Sequence, residues 1–352
     1  WGSRSVRSRM FFLGIQYALT FLLVVSALYF NQQLDMLLHT EPGFRTKNIL
    51  VAKLTYESQD FNGFTEERYR QERARIQLLN EKLLACPFIE YHQSGYESII
   101  DNTYGTNYVN EKGETAYLNI MYVSPQFFQM FEIDLEEGAI PEKSGRNIYV
   151  LNRAAMKAMN FSSLEEAAVV EDNRKRKDAN APMEPIVAVV KDYYNGHLSA
   201  GAAPIIYNVS GSGGPRHQIA FPEGKKQELL NYLKETMKEV YGAEEFTYSF
   251  LEDDVKAVYK EDQKIASIYN IFAFIAIAVS CLGLFGISLF DIRQRYREIA
   301  IRKAHGAGMK DLYQLLFKKY LAVLGVSFVV AVPIVYYLIH QYTADFVVKA
   351  PI

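Results

Sequence analysis

The sequence predicts an α-helical membrane protein with a large α/β extracytoplasmic domain. Three long runs lack charged side chains, at 10–34, 265–290 and 320–344, and each is long enough to cross a hydrocarbon core of roughly 30 Å. Between the first two runs lies the segment 35–264, whose globular composition and length suit two small lobes. Basic residues beside the runs then orient the chain across the membrane.

The first run begins directly after a basic segment. Residues 1–9 contain Arg4, Arg7 and Arg9 and no acidic side chain, which predicts a cytoplasmic N-terminal segment. A cleaved signal peptide is the alternative interpretation. A retained helix is favoured because the run is long and its only loose cleavage pattern, the letters VSA at 25–27, lies inside it.

The segment 35–264 has two strand-helix-strand patterns that flank a strand-rich insertion. One pattern lies within 45–100 and the other within 217–251, and we expect them to pack as one mixed α/β lobe. Turns with Gly and Pro separate the strands of 101–216, which predicts an inserted second lobe. The clearest strand candidates there are AYLNIMYV, NIYVL, EPIVAVVKDYY and PIIYNV. The charged run at 171–178 has no interleaved aromatic side chains, so we expect a solvated loop and no nucleic-acid surface.

The second run is expected to belong to a longer helix. Polar residues lead into it without Gly or Pro, which predicts one continuous helix over 252–290, about 58 Å long. Ser280, Gly283 and Gly286 recur at steps of three and share one face, a pattern that fits either close packing against another helix or the ordinary small-residue content of a membrane helix. Pro333 in the third run predicts a kink of the kind that membrane helices tolerate when neighbouring helices pack against them, so it is also a candidate packing residue.

The segment 291–319 predicts a cytoplasmic helix and a loop. Its charges are mainly basic, and this excess marks the cytoplasmic side of the membrane. Apolar residues at helical spacing predict an interfacial helix over 291–306, with one face available to a partner. The candidate contact residues are Arg293, Arg295, Glu298, Ile299, Arg302, Lys303 and Gly306.

The sequence lacks the motifs of several common kinds of functional site. The sequence has no G-x-x-x-x-G-K-[ST] motif, so it cannot hold nucleotide phosphates in the P-loop manner. It has no nucleophile motif, and its six histidines lack metal-ligand spacing, so we expect no enzyme activity, metal or cofactor. Cys86 is expected outside the membrane and accessible, whereas Cys281 lies in a membrane run, so the two cannot pair.

Three motifs follow one another near the end of the chain: CLGLFG in the second run, EIAIRKAHGA in the basic segment and VAVPIVYYLI in the third run. Their order and spacing resemble the FtsX-like permease domain of MacB-type ABC transporters. In the inserted lobe, YVSPQFFQMFEIDLEEG and PIVAVVKDYYNGHL are similar to paired signatures of the MacB-type periplasmic domain. That domain inserts a lobe between the halves of a porter-like domain.

The resemblance implies a permease subunit in the bacterial inner membrane, with its basic helix docked on a cytoplasmic ABC ATPase. The further partners that the resemblance implies are membrane lipid, a second permease unit (a dimer partner or a same-chain repeat) and a periplasmic partner. Relatives have a fourth helix after 345–352, so we expect this chain to be the C-terminal half of a longer permease, cut before that helix. The implied activity is export of peptide, antibiotic or lipoprotein, and the alternative is regulation of cell-wall hydrolases.

Two other classes of protein fit the sequence less well. A membrane-anchored ligand sensor would carry a cytoplasmic output domain after its last crossing, and it leaves the basic helix at 291–306 unexplained. A proton-coupled transporter needs ionisable side chains inside its spans, and these runs hold none beyond His340 near one end. We therefore favour the permease interpretation.

Overall fold

The computed structural model describes residues 2–54, 66–101, 104–141, 148–209, 213–304, 308–344 and 346–351, apart from the side chains of 2–7, 68–69 and 309–316. The chain divides into two compact units, Trp1–Thr40 with Tyr259–Ile352, and Glu41–Val258. Within the described residues the helices are α1 (Gly2–His39), α2 (Glu66–Ala85), α3 (Phe127–Met130), α4 (Arg153–Ala158), α5 (Asp172–Lys177), α6 (Lys226–Tyr241), α7 (Leu251–Val258), α8 (Lys260–Gln294), α9 (Tyr296–Ala304) and α10 (Met309–Tyr342). The strands are β1 (Ile49–Lys53), β2 (Tyr91–Gly95), β3 (Gly105–Asn110), β4 (Thr115–Tyr122), β5 (Leu135–Gly138), β6 (Tyr149–Asn152), β7 (Ala168–Glu171), β8 (Glu184–Val190), β9 (Ile205–Asn208), β10 (Arg216–Ala220) and β11 (Thr247–Phe250).

The first unit consists mainly of membrane-type helices. Three stretches are long and apolar enough to cross a membrane, Ser8–His39, Lys260–Gln294 and Phe317–Tyr342. This confirms the three predicted membrane helices. α1 and α8 extend beyond the uncharged runs at both ends because the flanking polar and charged residues, such as Asp35 and Lys264, continue the helix.

The predicted continuous helix over 252–290 is wrong. α7 ends at Val258 and α8 begins at Lys260, and Tyr259 between them has φ −94° and ψ 10°, outside the helical range. The Tyr259 side chain is buried at 4% exposure. The interruption therefore coincides with a buried aromatic side chain, and no Gly or Pro is needed to produce it.

The second unit contains a four-stranded antiparallel sheet with two helices on one face. Its strand order is β11-β1-β10-β2, so β1 and β2 run parallel with β10 between them. α2 connects β1 to β2 and α6 connects β10 to β11, which makes two split βαβ units in one sheet. Leu50, Ala52 and Ile219 of the sheet pack with Leu83 and Leu233 of the two helices.

A seven-stranded sheet forms the remaining lobe of the second unit. Its order is β5-β8-β6-β9-β4-β3-β7, and β7 also pairs with β8, so the strands from β8 to β7 close into a ring. The four strand candidates from the sequence are all strands of this sheet, namely β4, β6, β8 and β9. The charged run at 171–178 forms α5 and not the expected loop, and Arg176 pairs with Asp172 one turn away at 2.7 Å.

The two sheets share a core and are joined through one pair of strands. Val51, on the face of β1 opposite the helices, belongs to the same apolar core as Tyr193 of the inserted lobe. The chain leaves the four-stranded sheet at Gly95 and re-enters it at Arg216, and these residues are cross-strand partners in β2 and β10. A Cβ on Gly214 would lie 2.3 Å from the Gly95 backbone, so this crossing point requires a glycine.

The expected accessibility of Cys86 is wrong. Its side chain is buried at 4% exposure because the chain just after α2 turns into the core between the sheet and the helices, where Leu83 also lies. Burial raises the pKa of the Cys86 thiol, which further lowers its reactivity. A thiol-labelling test of topology therefore needs a different, exposed position.

Candidate functional site

The face of α8 that carries Ser280 lies against α1. The hydroxyls of Ser280 and Thr20 form a hydrogen bond at 2.6 Å. Nearer the N-terminal end of α8, the side-chain amide of Asn31 donates a hydrogen bond to Asn270 at 2.7 Å, and the amide of Asn270 donates one to Asn31 at 3.2 Å. Such bonds hold membrane helices together where lipid supplies no hydrophobic drive.

The other predicted packing residues differ in their surroundings. Gly283 faces Gln16 of α1, and a Cβ added to the glycine would lie 2.8 Å from the Gln16 Oε1 atom. At Gly286 an added Cβ would meet no atom of the described residues within 4 Å. Pro333 lies inside α10 on an exposed face. The structure thus brings Ser280 and Gly283 to α1, and it leaves Gly286 and Pro333 away from that helix contact.

α1 also holds α10 and the segment that follows it. The Ser327 hydroxyl donates to the Gly14 carbonyl at 2.9 Å. The buried side chain of Gln33 donates to the Val348 carbonyl at 3.3 Å and accepts from the Ala350 amide at 2.7 Å. One amide side chain therefore pairs with the backbone of 346–351 as a neighbouring strand would.

The basic helix begins later than residue 291, where the sequence predicted its start. α8 continues to Gln294, so Arg293 belongs to its last turn, and α9 begins only at Tyr296 and ends at Ala304. The separation occurs at Arg295, which has φ −100° and ψ 10°. None of the residues of α9 is buried. Gly306 lies outside the described residues.

Glu298 organises the charges around α9. Arg302 Nη2 lies 2.9 Å from a Glu298 oxygen, and Arg295 Nη1 lies 3.9 Å from the other. All three side chains are about half exposed, and such exposed pairs contribute about 0.3–0.5 kcal/mol each. Lys303 is exposed and Ile299 is half-buried. These charges support the helix and stay open to solvent.

Apolar side chains lie beside these charges on α9. Tyr296 is 71% exposed and Ile301 is 61% exposed. Aromatic and arginine side chains are the types enriched at protein interfaces, whereas isolated surface charges are depleted there. The helix therefore presents a surface that combines charged and apolar side chains.

The structure also reveals a cluster that the sequence did not indicate. Asp291, in the last turn of α8, is only 5% exposed. Its Oδ2 accepts a hydrogen bond from the Tyr320 hydroxyl at 2.5 Å and forms an ion pair with Lys319. The sequence signal is an aspartate directly after an uncharged run, and nothing in the spacing identifies its partners on α10.

The second unit contains a pair of histidines, of which His217 is buried and His92 is partly buried. His92 Nε2 and His217 Nδ1 are 2.8 Å apart, and the rings stack with centres 5.1 Å apart. Burial lowers the pKa of His92 to about 4. Burial, together with the nearby His92 ring, lowers the pKa of His217 to about 3. Both rings are therefore neutral at pH 7. Among the described residues, no group of three or more potential metal ligands occurs.

Residues 270–350, which run from α8 through α10, match the family model described as FtsX-like permease C-terminal. This end of the chain is similar to the FtsX-like permease domain. The match confirms the resemblance that the motifs of the sequence suggested. It covers α9 and the Asp291 cluster together with the two membrane helices on either side of them.

Relatives of the FtsX-like permease domain include export proteins that also bind ATP. The macrolide export ATP-binding/permease protein MacB of Burkholderia lata is 32% identical over 82 residues, 23% of this chain and 12% of that protein. The probable syringafactin export ATP-binding/permease protein SyfD of Pseudomonas syringae is 38% identical over 69 residues, 20% of this chain and 10% of that protein. The chain thus aligns with about a tenth of the length of these relatives. The periplasmic region of MacB from Actinobacillus actinomycetemcomitans gives a TM-score of 0.41 at 15% identity, covering 64% of this chain and 98% of that one.

Proposed function

We propose that this chain is the permease subunit of a MacB/FtsX-type ABC transporter and that α9 docks on a cytoplasmic ATPase subunit. The observation that carries the proposal is α9 itself, a charged helix without buried residues that directly follows a membrane-crossing helix in an FtsX-like permease domain. In this proposal ATP is hydrolysed by the cytoplasmic ABC ATPase and not by residues 1–352, which contain no P-loop motif. Closure of the ATPase displaces α9, and the membrane helices carry the displacement to residues 41–258.

Charge distribution supports the orientation in this proposal. Arg4, Arg7 and Arg9 lie at the start of α1, before its uncharged run, and the basic residues around α9 come after the uncharged run of α8. Basic excess marks the cytoplasmic side, so the start of α1 and the end of α8 lie in the cytoplasm, and residues 41–258 lie outside the inner membrane. A second permease unit, the surrounding lipid and a periplasmic partner complete the assembly.

The names of the relatives favour export as the activity. MacB of Burkholderia lata is named for macrolides and SyfD of Pseudomonas syringae for syringafactin. We therefore propose a peptide, antibiotic or lipoprotein as the exported substrate class. No observation on the described residues favours the alternative of regulating cell-wall hydrolases.

Charge reversal on α9 tests the docking. Glu298→Lys and Arg302→Glu are each expected to abolish association with the ATPase and ATP-driven transport, because losing one partner of a desolvated pair costs about 2–5 kcal/mol. The measurement is co-purification of the ATPase with the complete permease from its source cell, followed by transport-stimulated hydrolysis. Membrane insertion of each variant is verified first.

The double variant Glu298→Arg with Arg302→Glu is the matched control. Each single reversal also breaks the pair within α9, whereas the exchange restores that pair with the charges in swapped positions. If docking is specific, the exchanged helix still fails to bind. If α9 only neutralised lipid headgroups, each basic residue would contribute about 1 kcal/mol and Glu298 would be dispensable. Wild-type association and coupling in both single variants would refute docking.

A further inference from the structure

One buried carboxylate joins the helices on the two sides of α9. Asp291 lies in the last turn of α8, before α9, and Lys319 and Tyr320 lie in α10, after it. The Tyr320 hydroxyl donates to Asp291 Oδ2 at 2.5 Å, and Lys319 Nζ pairs with the same oxygen. We refer to the side chains of Asp291, Lys319 and Tyr320 as the Asp291 latch.

Asp291 and Tyr320 of the latch are buried and Lys319 is partly buried, although the residues on either side of Asp291 are exposed. Asp291 is 5% exposed, compared with 48% for Phe290 and 40% for Ile292. A carboxylate withdrawn from water loses its hydration, so it needs both a charged and a hydrogen-bonding partner in that place. A buried ion pair adds little net stability but fixes one arrangement of the elements that carry it.

Tyr320 extends the latch to α1. Its side chain is buried and packs in one apolar cluster with Leu13 and Tyr17 of α1. The Arg9 guanidinium, also on α1, lies 4.1 Å from the centre of the Phe290 ring. The three membrane-crossing helices therefore meet at the end of the bundle from which α9 extends.

We propose that the Asp291 latch makes α8, α9 and α10 move as one body. A force on α9 then displaces two membrane helices, and it does not merely bend the short connection between α8 and α9. This inference rests on the proposed docking of α9 on an ATPase. Asp291 and Lys319 are positioning residues in it, since they hold the docking helix in place and do not themselves contact the ATPase.

The first experiment needs no ATPase. Spin labels at Ile292→Cys and Leu321→Cys, in a chain whose native cysteines are replaced by alanine, report the α8–α10 distance in lipid nanodiscs. Asp291→Asn and Lys319→Ala are expected to broaden the distance distribution. Lys318→Ala, which removes the exposed neighbouring lysine, should leave it unchanged. The exchanged pair Asp291→Lys with Lys319→Asp should restore the narrow distribution.

The second experiment measures coupling in the complete transporter without labels. Asp291→Asn and Lys319→Ala should keep ATPase association within about twofold of wild type. In both variants the amount of substrate transported per ATP hydrolysed should fall at least about tenfold. The exchanged pair should restore this ratio. Tyr320→Phe keeps the packed ring and removes only the hydroxyl, so it should fold normally and show a smaller loss.

Each outcome decides one part of the inference. An unchanged distance distribution in Asp291→Asn and Lys319→Ala would overturn the latch. Broadened distances with normal transport per ATP would overturn its role in coupling. If the wild-type chain captures no ATPase, the docking proposal fails instead, and the distance measurement alone decides whether the latch joins α8 to α10.

Discussion

The paired side chains of His92 and His217 predict acid sensitivity in the second unit. An unfolded histidine has a pKa near 6.5, whereas burial lowers the folded values to about 4 and about 3. Below pH 6.5 the unfolded chain therefore binds more protons than the folded one. The free energy of unfolding is at its full value above pH 6.5 and falls as the pH drops toward the folded pKa values.

The size of the loss follows from the two pKa values. Each pH unit within this window costs about 1.4 kcal/mol per histidine. Lowering the pH from 6.5 to 5 thus removes about 2 kcal/mol for each ring, or about 4 kcal/mol for His92 and His217 together. In amide exchange this corresponds to a loss of protection of about 30-fold per histidine.

Hydrogen exchange of β2 and β10 in the full chain measures this effect. Protection factors at pH 7 and pH 5, corrected for intrinsic exchange, should differ strongly in the wild type. The difference should disappear in the double variant His92→Gln with His217→Gln. His197→Gln, which changes another histidine of the same unit, should retain it. Protection that is equal at the two pH values in the wild type, or that falls equally in the double variant, would refute the reasoning.

Two further predictions concern packing and topology. Gly283→Leu should lower the thermal stability of the detergent-solubilised chain, because its side chain would collide with Gln16, and overpacking costs about 1–3 kcal/mol. Gly286→Leu, with open space around it, is the control, and equal melting temperatures for the two variants would contradict the packing. In a chain without native cysteines, Lys112→Cys should react with a membrane-impermeant thiol reagent in spheroplasts, whereas Arg297→Cys should not. The opposite pattern would invert the proposed topology.

Sequence reasoning succeeded where one local property decides the structure. An uncharged run of membrane length has few alternatives to a spanning helix, so the three crossings were predictable. The interruption at Tyr259 was not, because it coincides with burial of an aromatic ring and has no Gly or Pro to mark it. The burial of Cys86 likewise depends on how the end of α2 enters the core.

Some features of the candidate site could likewise be predicted from the sequence, and others could not. The basic character around α9 and the motif EIAIRKAHGA were visible in the sequence. The Asp291 latch was not, because its partners Lys319 and Tyr320 belong to another helix, and their approach depends on how α8 and α10 are rotated. Gly283 and Gly286 share a face in the sequence, yet Gln16 reaches only the first of them. Spacing identifies a helix face, and only the tertiary structure shows which part of that face is covered.

The cross-strand pairing of Gly95 with Arg216 has an evolutionary consequence. The whole inserted lobe is an excursion of a single β-hairpin, since its two ends meet at one rung of the ladder between β2 and β10. Each doubling of such an excursion costs only about 0.6 kcal/mol in closure entropy. The lobe can therefore be lengthened, shortened or exchanged by recombination while the register of the four-stranded sheet stays fixed. An exchanged lobe must still cover the apolar surface around Val51 on the four-stranded sheet.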